Sequence, residues 1–114
     1  MNDCLFCKII DGTIPAKTVY EDDLIVALQD LDPKAPLHLL LIPRKHIDSC
    51  LQLGIEDREL IGHIHLVATK LAQERGMAES GFRIVTNTNA DAGQSVFHIH
   101  FHLLGGRQLQ WPPG

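Results

Sequence analysis

The sequence has no long apolar run, and nowhere approaches the roughly 18 consecutive apolar residues that a membrane-spanning helix needs. Its N-terminus, Met-Asn-Asp-Cys, also lacks the basic segment followed by an apolar one that marks a secretory signal. We therefore expect a protein with no membrane partner that resides in the cytoplasm.

Basic residues are scarce as well, with 10 Lys and Arg against 14 Asp and Glu and a formal net charge of −4. They are scattered rather than grouped in a stripe, so long nucleic acid is not an expected partner. Only 3 cysteines are present, and without an export signal they indicate thiols rather than a disulfide framework. There are no repeats or low-complexity tracts, and 114 residues suit a single domain over 1–114.

Apolar periodicity and turn residues predict an α+β fold, in which a five-stranded antiparallel sheet carries one long helix on a face. A short N-terminal helix is expected over 4–10, ending at Asp11 and Gly12. Apolar residues spaced three and four apart predict the long helix from Ile55 to about Gly76. The predicted strands cover 19–20, 24–28, 37–42, 82–85 and 97–104.

Three of the 7 histidines stand two residues apart near the C-terminus. They are His98, His100 and His102. In a strand, alternate side chains share a face and each residue rises about 3.3 Å, which would set the three imidazoles about 6.6 Å apart on one face. We expect that face to be open to a ligand. The residues expected to meet the long helix on the other face are Phe97, Ile99, Phe101 and Leu103.

Histidines gathered on one face suit either metal binding or chemistry on phosphate. A catalytic zinc site would favour a carboxylate within or just after the run, and none occurs there. Gly93, Gln94 and Ser95 precede the run and 105–106 are both glycine, so main-chain N–H groups and a hydroxyl are available to hold an anion. The sequence therefore favours chemistry at phosphorus.

Residues 98–104 resemble the His-φ-His-φ-His-φ-φ signature of the histidine triad nucleotide hydrolases and transferases, where φ is an apolar residue. The resemblance runs through the whole chain and implies the histidine triad fold. Its other segments are 14–17, 20–23, 35–38, 42–46, Asn87, 93–97 and 105–107. The ending Trp-Pro-Pro-Gly is similar to that of the Hint branch, the purine nucleoside phosphoramidases.

The resemblance implies a homodimer with one nucleotide site per subunit and no organic cofactor. It also implies a two-step reaction at the α-phosphorus of a nucleoside 5′-phosphoramidate. By similarity, His100 is the nucleophile, and water hydrolyses the resulting nucleotidyl-histidine to AMP or GMP. A neutral imidazole suits this role, because an unperturbed pKa of ~6.5 leaves most of it unprotonated near neutral pH.

Other positions take expected roles from the same resemblance. The residues placed beside the scissile phosphate or in the histidine cluster are His38, His98 and His102. Those matching phosphate or leaving-group contacts are Asn87, Gly93, Gln94 and Ser95. Asp30 matches the carboxylate that holds the ribose hydroxyls, with Leu28 and Leu31 near the base. Trp111 lies in a tail, 107–114, that we expect to dock on the partner subunit and influence which leaving group is accepted.

A second set of residues is similar to the zinc site of bacterial histidine triad proteins. Its members are Cys4, Cys7, His46 and His98. Two thiolates three residues apart and two imidazoles satisfy the tetrahedral, four-ligand preference of structural zinc. The resemblance therefore implies a bound structural zinc ion.

Several alternatives remain open from the sequence. Cys4 and Cys7 could instead be two buried, reduced thiols, and His46 a surface residue. Asp30 could be a turn residue, and Trp111 part of a frayed tail. For the whole chain the alternatives are a dinucleoside polyphosphate hydrolase of the Fhit-like type, which the Trp-Pro-Pro-Gly ending argues against, and a non-catalytic purine-nucleotide-binding interaction module.

Overall fold

A computed structural model describes residues 3–114 of the chain. Five strands form one antiparallel sheet in the order β1-β2-β3-β5-β4. The strands are β1 (Thr18–Glu21), β2 (Ile25–Gln29), β3 (Leu37–Pro43), β4 (Phe82–Val85) and β5 (Phe101–Gly105). The helices are α1 (Leu5–Ile10), α2 (Arg58–Glu74) and α3 (Asn89–Ala92). The α+β prediction is confirmed. The predictions of a single domain over 1–114 and of no secretory signal also involve Met1 and Asn2, and these two residues lie outside the described residues.

The long helix packs its apolar stripe on one face of the sheet, as its periodicity predicts. The buried residues that meet there are Ile64, Val67, Ala68, Leu71 and Ala72 from α2, with Ile99, Phe101 and Leu103 from the histidine segment. The helix begins at Arg58 rather than Ile55, because Ile55–Asp57 form a separate 3-10 turn. The Asp57 carboxylate stabilises this turn by accepting hydrogen bonds from Gly54 N at 2.9 Å and Lys45 Nζ at 2.7 Å.

The short helix covers the opposite face of the sheet. Phe6 of α1 packs with Val26, Leu28 and Ile42 in a second buried apolar cluster. Cys4 is the N-cap residue of this helix, and its Sγ accepts a hydrogen bond from Cys7 N at 3.4 Å. The chain leaves the helix at Asp11 and Gly12, where a φ of +85° favours glycine. The predicted helix and its end are confirmed.

The β1–β2 hairpin turn is organised by Asp22. One carboxylate oxygen accepts the N–H groups of Leu24 and Ile25 at 2.8 and 3.0 Å, and the other lies 2.7 Å from Tyr20 Oη and 2.6 Å from His63 Nε2. Burial raises the pKa of Asp22, but these hydrogen bonds outweigh it and hold that pKa well below its usual range. His63 thus ties α2 to the hairpin.

None of the helices in residues 3–114 has both the length and the apolar character that crossing a membrane requires.

Candidate active site

The histidine segment only partly follows the strand that its alternation predicts. β5 begins at Phe101, so His102 lies in the ladder while His98 and His100 precede it. The chain before β5 is held instead by a hydrogen bond from Ile99 N to Ile47 O at 2.6 Å. The expectation that Phe97 belongs to the core is wrong: Phe97 is 53% exposed, because it lies four residues upstream of the ladder and outside the cluster in which Ile99, Phe101 and Leu103 meet α2.

The histidine face is not open in the way that we expected. His98 is fully buried and His100 is 8% exposed. The cause is α1, whose Phe6 ring packs against both imidazoles. His100 and His102 are therefore accessible from a cavity at the edge of α1 rather than across an exposed sheet surface.

His98 points its ring away from the other two histidines, toward the N-terminal cysteines. Its Nε2 lies 2.7 Å from the Pro43 carbonyl, which only accepts, so Nε2 carries the proton and Nδ1 keeps a lone pair. That Nδ1 lies 3.2 Å from Cys4 Sγ and 3.5 Å from Cys7 Sγ. It also lies 3.1 Å from the Nδ1 of His46.

His46 is oriented in the same way. Its Nε2 lies 2.8 Å from a carboxylate oxygen of Asp48, which leaves Nδ1 as the nitrogen facing Cys7 Sγ at 3.4 Å. The four candidate ligand atoms of Cys4, Cys7, His46 and His98 all lie within 4.8 Å of one another. We call these four residues the metal cluster.

The donor set of the metal cluster fits zinc. Around a tetrahedral ion with bonds of about 2.0 to 2.3 Å, ligand atoms lie roughly 3.3 to 3.8 Å apart, close to the 3.1 to 3.5 Å found between the paired atoms here. Two imidazole lone pairs that face each other at 3.1 Å repel unless a cation lies between them. Both remaining ring nitrogens have oxygen partners, as is usual for histidines that bind metal.

His100 has a defined tautomer. Its Nδ1–H donates to the His98 carbonyl oxygen at 2.8 Å, so Nε2 keeps the free lone pair. Burial lowers the pKa of His100, and the hydrogen bond to His98 O and the negative charge of Asp30 offset this only partly. The ring is therefore neutral at physiological pH and able to act as a nucleophile through Nε2.

His38 and His102 form a hydrogen-bonded chain next to His100. Lys34 N–H donates to His38 Nδ1 at 3.0 Å, which places the His38 proton on Nε2. That nitrogen lies 2.9 Å from His102 Nδ1, so the proton of His102 is in turn on its Nε2. Burial, followed by the neighbouring His100 and His38, lowers the pKa of His102 to about 4. Burial also lowers the pKa of His38, against the attraction of Asp30.

Asp30, His38 and His102 form a second group of possible metal ligands within residues 3–114. In this group a carboxylate oxygen of Asp30 lies 3.4 Å from His38 Nε2. The protonation of the His38 ring does not fit metal binding. His38 Nε2 carries a proton where a metal would need a lone pair, and Lys34 N–H prevents the other tautomer. This group therefore serves as a polar relay rather than as a metal site.

A cavity of about 320 Å³ lies between α1 and the end of the sheet. It brings together six of the residues that the sequence predicts for the nucleotide site, namely Leu28, Asp30, Leu31, Ser95, His100 and His102. Its apolar wall comes from α1 and the segment after it, in particular Leu5, Phe6, Ile9, Ile14 and Pro15. An adjoining cavity of about 330 Å³ shares Asp30 and His102 and adds His38 and Asn87.

Three predicted site residues lie elsewhere. Gln94 is 7% exposed and braces its loop, because its amide donates to Asp48 O at 2.7 Å and accepts from Asn89 N at 2.8 Å. Gly93 ends α3 with a φ of +82° and is not among the residues that line either cavity. Trp111 is 80% exposed.

Sequence reasoning missed two contributors to the site. Lys34 acts through its main-chain N–H, which no side-chain pattern reveals. Phe6 touches His100, and its position between the two cysteines of the Cys-x-x-Cys pair was the only signal in the sequence.

Comparison with known proteins identifies the family to which the chain belongs. Residues 3–110 match the family model described as scavenger mRNA decapping enzyme C-term binding. An uncharacterized HIT-like protein of Synechocystis is 48% identical over 112 residues, which cover 98% of this chain and 97% of that protein.

Solved structures match as well. A HIT family hydrolase from Legionella pneumophila superposes with a TM-score of 0.96 at 54% identity, covering 98% of this chain and 100% of the other. A histidine triad protein from Clostridium difficile superposes with a TM-score of 0.91 at 44% identity, covering 96% of each chain. With this fold, this histidine constellation and these relatives, the chain belongs to the histidine triad (HIT) family.

Proposed function

We propose that the protein is a Hint-type hydrolase that cleaves the P–N bond of nucleoside 5′-phosphoramidates and releases AMP or GMP. The observation that carries this proposal is the state of His100, a buried imidazole whose Nδ1–H is held by the His98 carbonyl and whose Nε2 lone pair is free in a nucleoside-sized cavity. Hydrolases among the structural relatives, such as that of Legionella pneumophila, support a hydrolytic reaction.

The reaction proceeds in two displacements. His100 Nε2 attacks the α-phosphorus, forming a P–N bond to the imidazole while the bond from phosphorus to the substrate amine breaks. Water then attacks phosphorus and frees His100. In the first step the substrate nitrogen takes up one proton from solvent as its bond to phosphorus breaks, and in the second step water adds a hydroxyl to phosphorus and returns one proton to solvent. His102 is neutral, and we expect its Nε2–H to donate a hydrogen bond to a phosphate oxygen.

The residues that line the two cavities support the remaining contacts that we propose. Asp30 accepts hydrogen bonds from the ribose hydroxyls, while Leu28 and Leu31 contact the base. Ser95 and Asn87 lie on the phosphate and leaving-group side, one in each cavity. Gly93 and Gln94 act indirectly, because they shape the loop that presents Ser95.

We further propose that the metal cluster holds a structural zinc ion and that the chain forms a homodimer. A zinc ion bound there would cross-link α1 to the histidine segment and would take no part in the reaction. In the dimer, the tail 107–114 with its exposed Trp111 docks on the partner subunit and contributes to leaving-group selection.

Steady-state turnover tests the function. A fluorogenic adenosine phosphoramidate and a dinucleoside polyphosphate are compared for the wild type, His100→Ala and the control His65→Ala, which removes an exposed histidine of α2. We expect the wild type and His65→Ala to prefer the phosphoramidate, and His100→Ala to lose several kcal/mol of transition-state stabilisation, where about 1.4 kcal/mol corresponds to tenfold in rate.

Other outcomes of this comparison contradict the proposal. Preference for the polyphosphate would indicate a Fhit-like enzyme, and negligible turnover of both compounds would leave a nucleotide-binding module. For the metal, elemental analysis of protein purified without added zinc is decisive, and a content below about one zinc per two chains contradicts the four-ligand site.

A further inference from the structure

Phe6 lies at the junction between the metal cluster and the nucleotide cavity. Its ring is 5% exposed and meets the rings of His98 and His100 edge-on, with centroids 5.9 and 4.9 Å apart and an interplanar angle of 78° in each pair. Contacts of this geometry are favourable and depend on orientation. Phe6 therefore contacts both a candidate metal ligand and the candidate nucleophile.

The position of Phe6 depends on how α1 is anchored. The helix has 6 residues, whereas an isolated helix needs about 12 to 15 to be even marginally stable, so tertiary contacts must hold it. Cys4 at its N-cap and Cys7 in its interior flank Phe6 in the sequence, and both Sγ atoms approach His98 Nδ1. A metal ion bound there fixes α1 on both sides of Phe6.

A second connection runs through the backbone of His98. Its carbonyl accepts the His100 Nδ1–H, while its ring is fixed by Pro43 O and by the metal cluster. Besides the His102 ring, whose centroid lies 5.2 Å away, two contacts orient His100, the Phe6 ring and the His98 carbonyl, and both come from residues within or beside the metal cluster. In addition, Leu5, Phe6 and Ile9 of α1 line the cavity that contains His100.

We propose that Phe6 is a positioning residue for His100, and that metal binding by Cys4, Cys7, His46 and His98 sets its position. Metal occupancy then controls both the orientation of the His100 ring and the affinity of the cavity for a purine nucleoside monophosphate. The role of His100 as nucleophile rests on the proposed function, whereas the positional link from metal to ring does not require turnover.

The test uses full-length protein labelled with ¹⁵N-histidine, stripped with a chelator and titrated with zinc. The His100 ring signals are assigned by their loss in His100→Ala. We expect one equivalent of zinc to shift these signals to a single Nδ1–H tautomer, and calorimetry to show that AMP binds about tenfold or more tightly to the zinc-loaded protein.

Two variants separate positioning from general stability. In Phe6→Leu, which keeps an apolar side chain, we expect zinc to bind with unchanged stoichiometry while the response of the His100 ring and the gain in AMP affinity both diminish. Ile10→Val is the matched control, because Ile10 belongs to the same helix and apolar cluster but does not line the cavity. This control should respond like the wild type.

The proposal is overturned if the protein binds no zinc, if zinc leaves the His100 signals and AMP affinity unchanged, or if Phe6→Leu responds like the wild type. Should Phe6→Leu not fold, Phe6→Met, which also removes the ring but keeps a long apolar side chain, takes its place in the same comparison. A ring response without phosphoramidate turnover would support the positioning and contradict the proposed function. Turnover with an unresponsive ring would overturn the positioning only.

Discussion

At the scale of single residues, the site depends on which nitrogen of each histidine carries the proton. Carbonyl oxygens hold the protons of His98 on Nε2 and of His100 on Nδ1. The Lys34 main-chain N–H holds the proton of His38 on Nε2. Backbone groups therefore decide that His98 offers Nδ1 to the metal cluster, that His100 offers Nε2 to the cavity and that His38 donates to His102.

Asp30 offers a test of nucleoside binding at this scale. Its side chain lines the cavity and already accepts the N–H of Asp32 at 2.8 Å, so Asp30→Asn preserves the shape of the turn while removing the charge. Because charge-assisted hydrogen bonds contribute about 1.5 to 3 kcal/mol, we expect AMP to bind at least about tenfold more weakly by calorimetry. Asp23→Asn, at an exposed hairpin turn, is the charge-matched control, and an equal loss in both variants would contradict a role in ribose binding.

At the scale of elements, the alternation of apolar and polar residues predicted the buried side chains of the histidine segment better than it predicted where the strand begins. Ile99, Phe101 and Leu103 lie in the core as the period of two predicts, although the ladder begins only at Phe101. β5 starts where its pairing with both neighbours ends: β4 stops at Val85 opposite His102, and Phe101 pairs with Leu41, beyond which β3 continues to Pro43 paired only with β2. Local sequence carries no information about where pairing with distant strands stops, and so the exposure of Phe97 was not foreseeable.

The same limit applied to the short helix. Its residues and its end were predicted from Cys4 to Gly12, but not which face of the sheet it covers, because that depends on contacts with β2 and β3. The family signature located the metal cluster and the cavity residues, whereas the bracing role of Gln94 required the loop geometry.

Packing of α2 on the sheet predicts a large stability effect at one position. Ile64 is fully buried in the main core, and Ile64→Ala should cost about 2 to 5 kcal/mol of unfolding free energy through lost burial and a residual cavity. Urea unfolding measures this cost. Gln73→Ala, on the exposed side of the same helix, should change stability by less than about 0.5 kcal/mol, and similar effects in both variants would contradict the packing described.

At the scale of the whole molecule, buried neutral histidines make the fold sensitive to acid. The folded pKa of His102 is about 4, below the ordinary histidine value of ~6.5, so between these pH values the unfolded chain binds a proton that the folded chain does not. This contribution to stability is complete above pH ~6.5 and is lost as the pH falls toward ~4. His38, with its pKa lowered in the same direction, adds to the effect.

Urea unfolding at pH 7.5 and pH 5 tests the predicted direction of this change in stability. Lowering the pH should destabilise the wild type by about 1 to 2 kcal/mol from His102 alone, and His102→Asn should lose correspondingly less, because it has no group to titrate. Comparing the pH effect between the two proteins cancels contributions from the metal cluster that they share. A midpoint that rises on acidification in the wild type, or an equal loss in both proteins, would contradict the assignment.

The proposed dimer is also a property of the whole molecule. Light scattering on the full chain should give twice the 12.7 kDa mass of one chain. Trp111→Ala should leave that mass unchanged while altering the ratio of kcat/KM between two phosphoramidates that differ only in their amine. A wild-type protein that stays monomeric at assay concentration would contradict a site completed by the partner's tail.

The central claim is that His100 forms a covalent bond to phosphorus, and the stereochemistry of the reaction tests it most directly. A nucleoside 5′-phosphorothioamidate of one configuration at phosphorus is hydrolysed in ¹⁸O-labelled water, and the configuration of the thiophosphate product is determined by ³¹P NMR. Each in-line displacement inverts phosphorus, so the two-step path through His100 predicts overall retention. Overall inversion would show that water attacks the substrate directly, and would contradict the nucleotidyl-histidine intermediate.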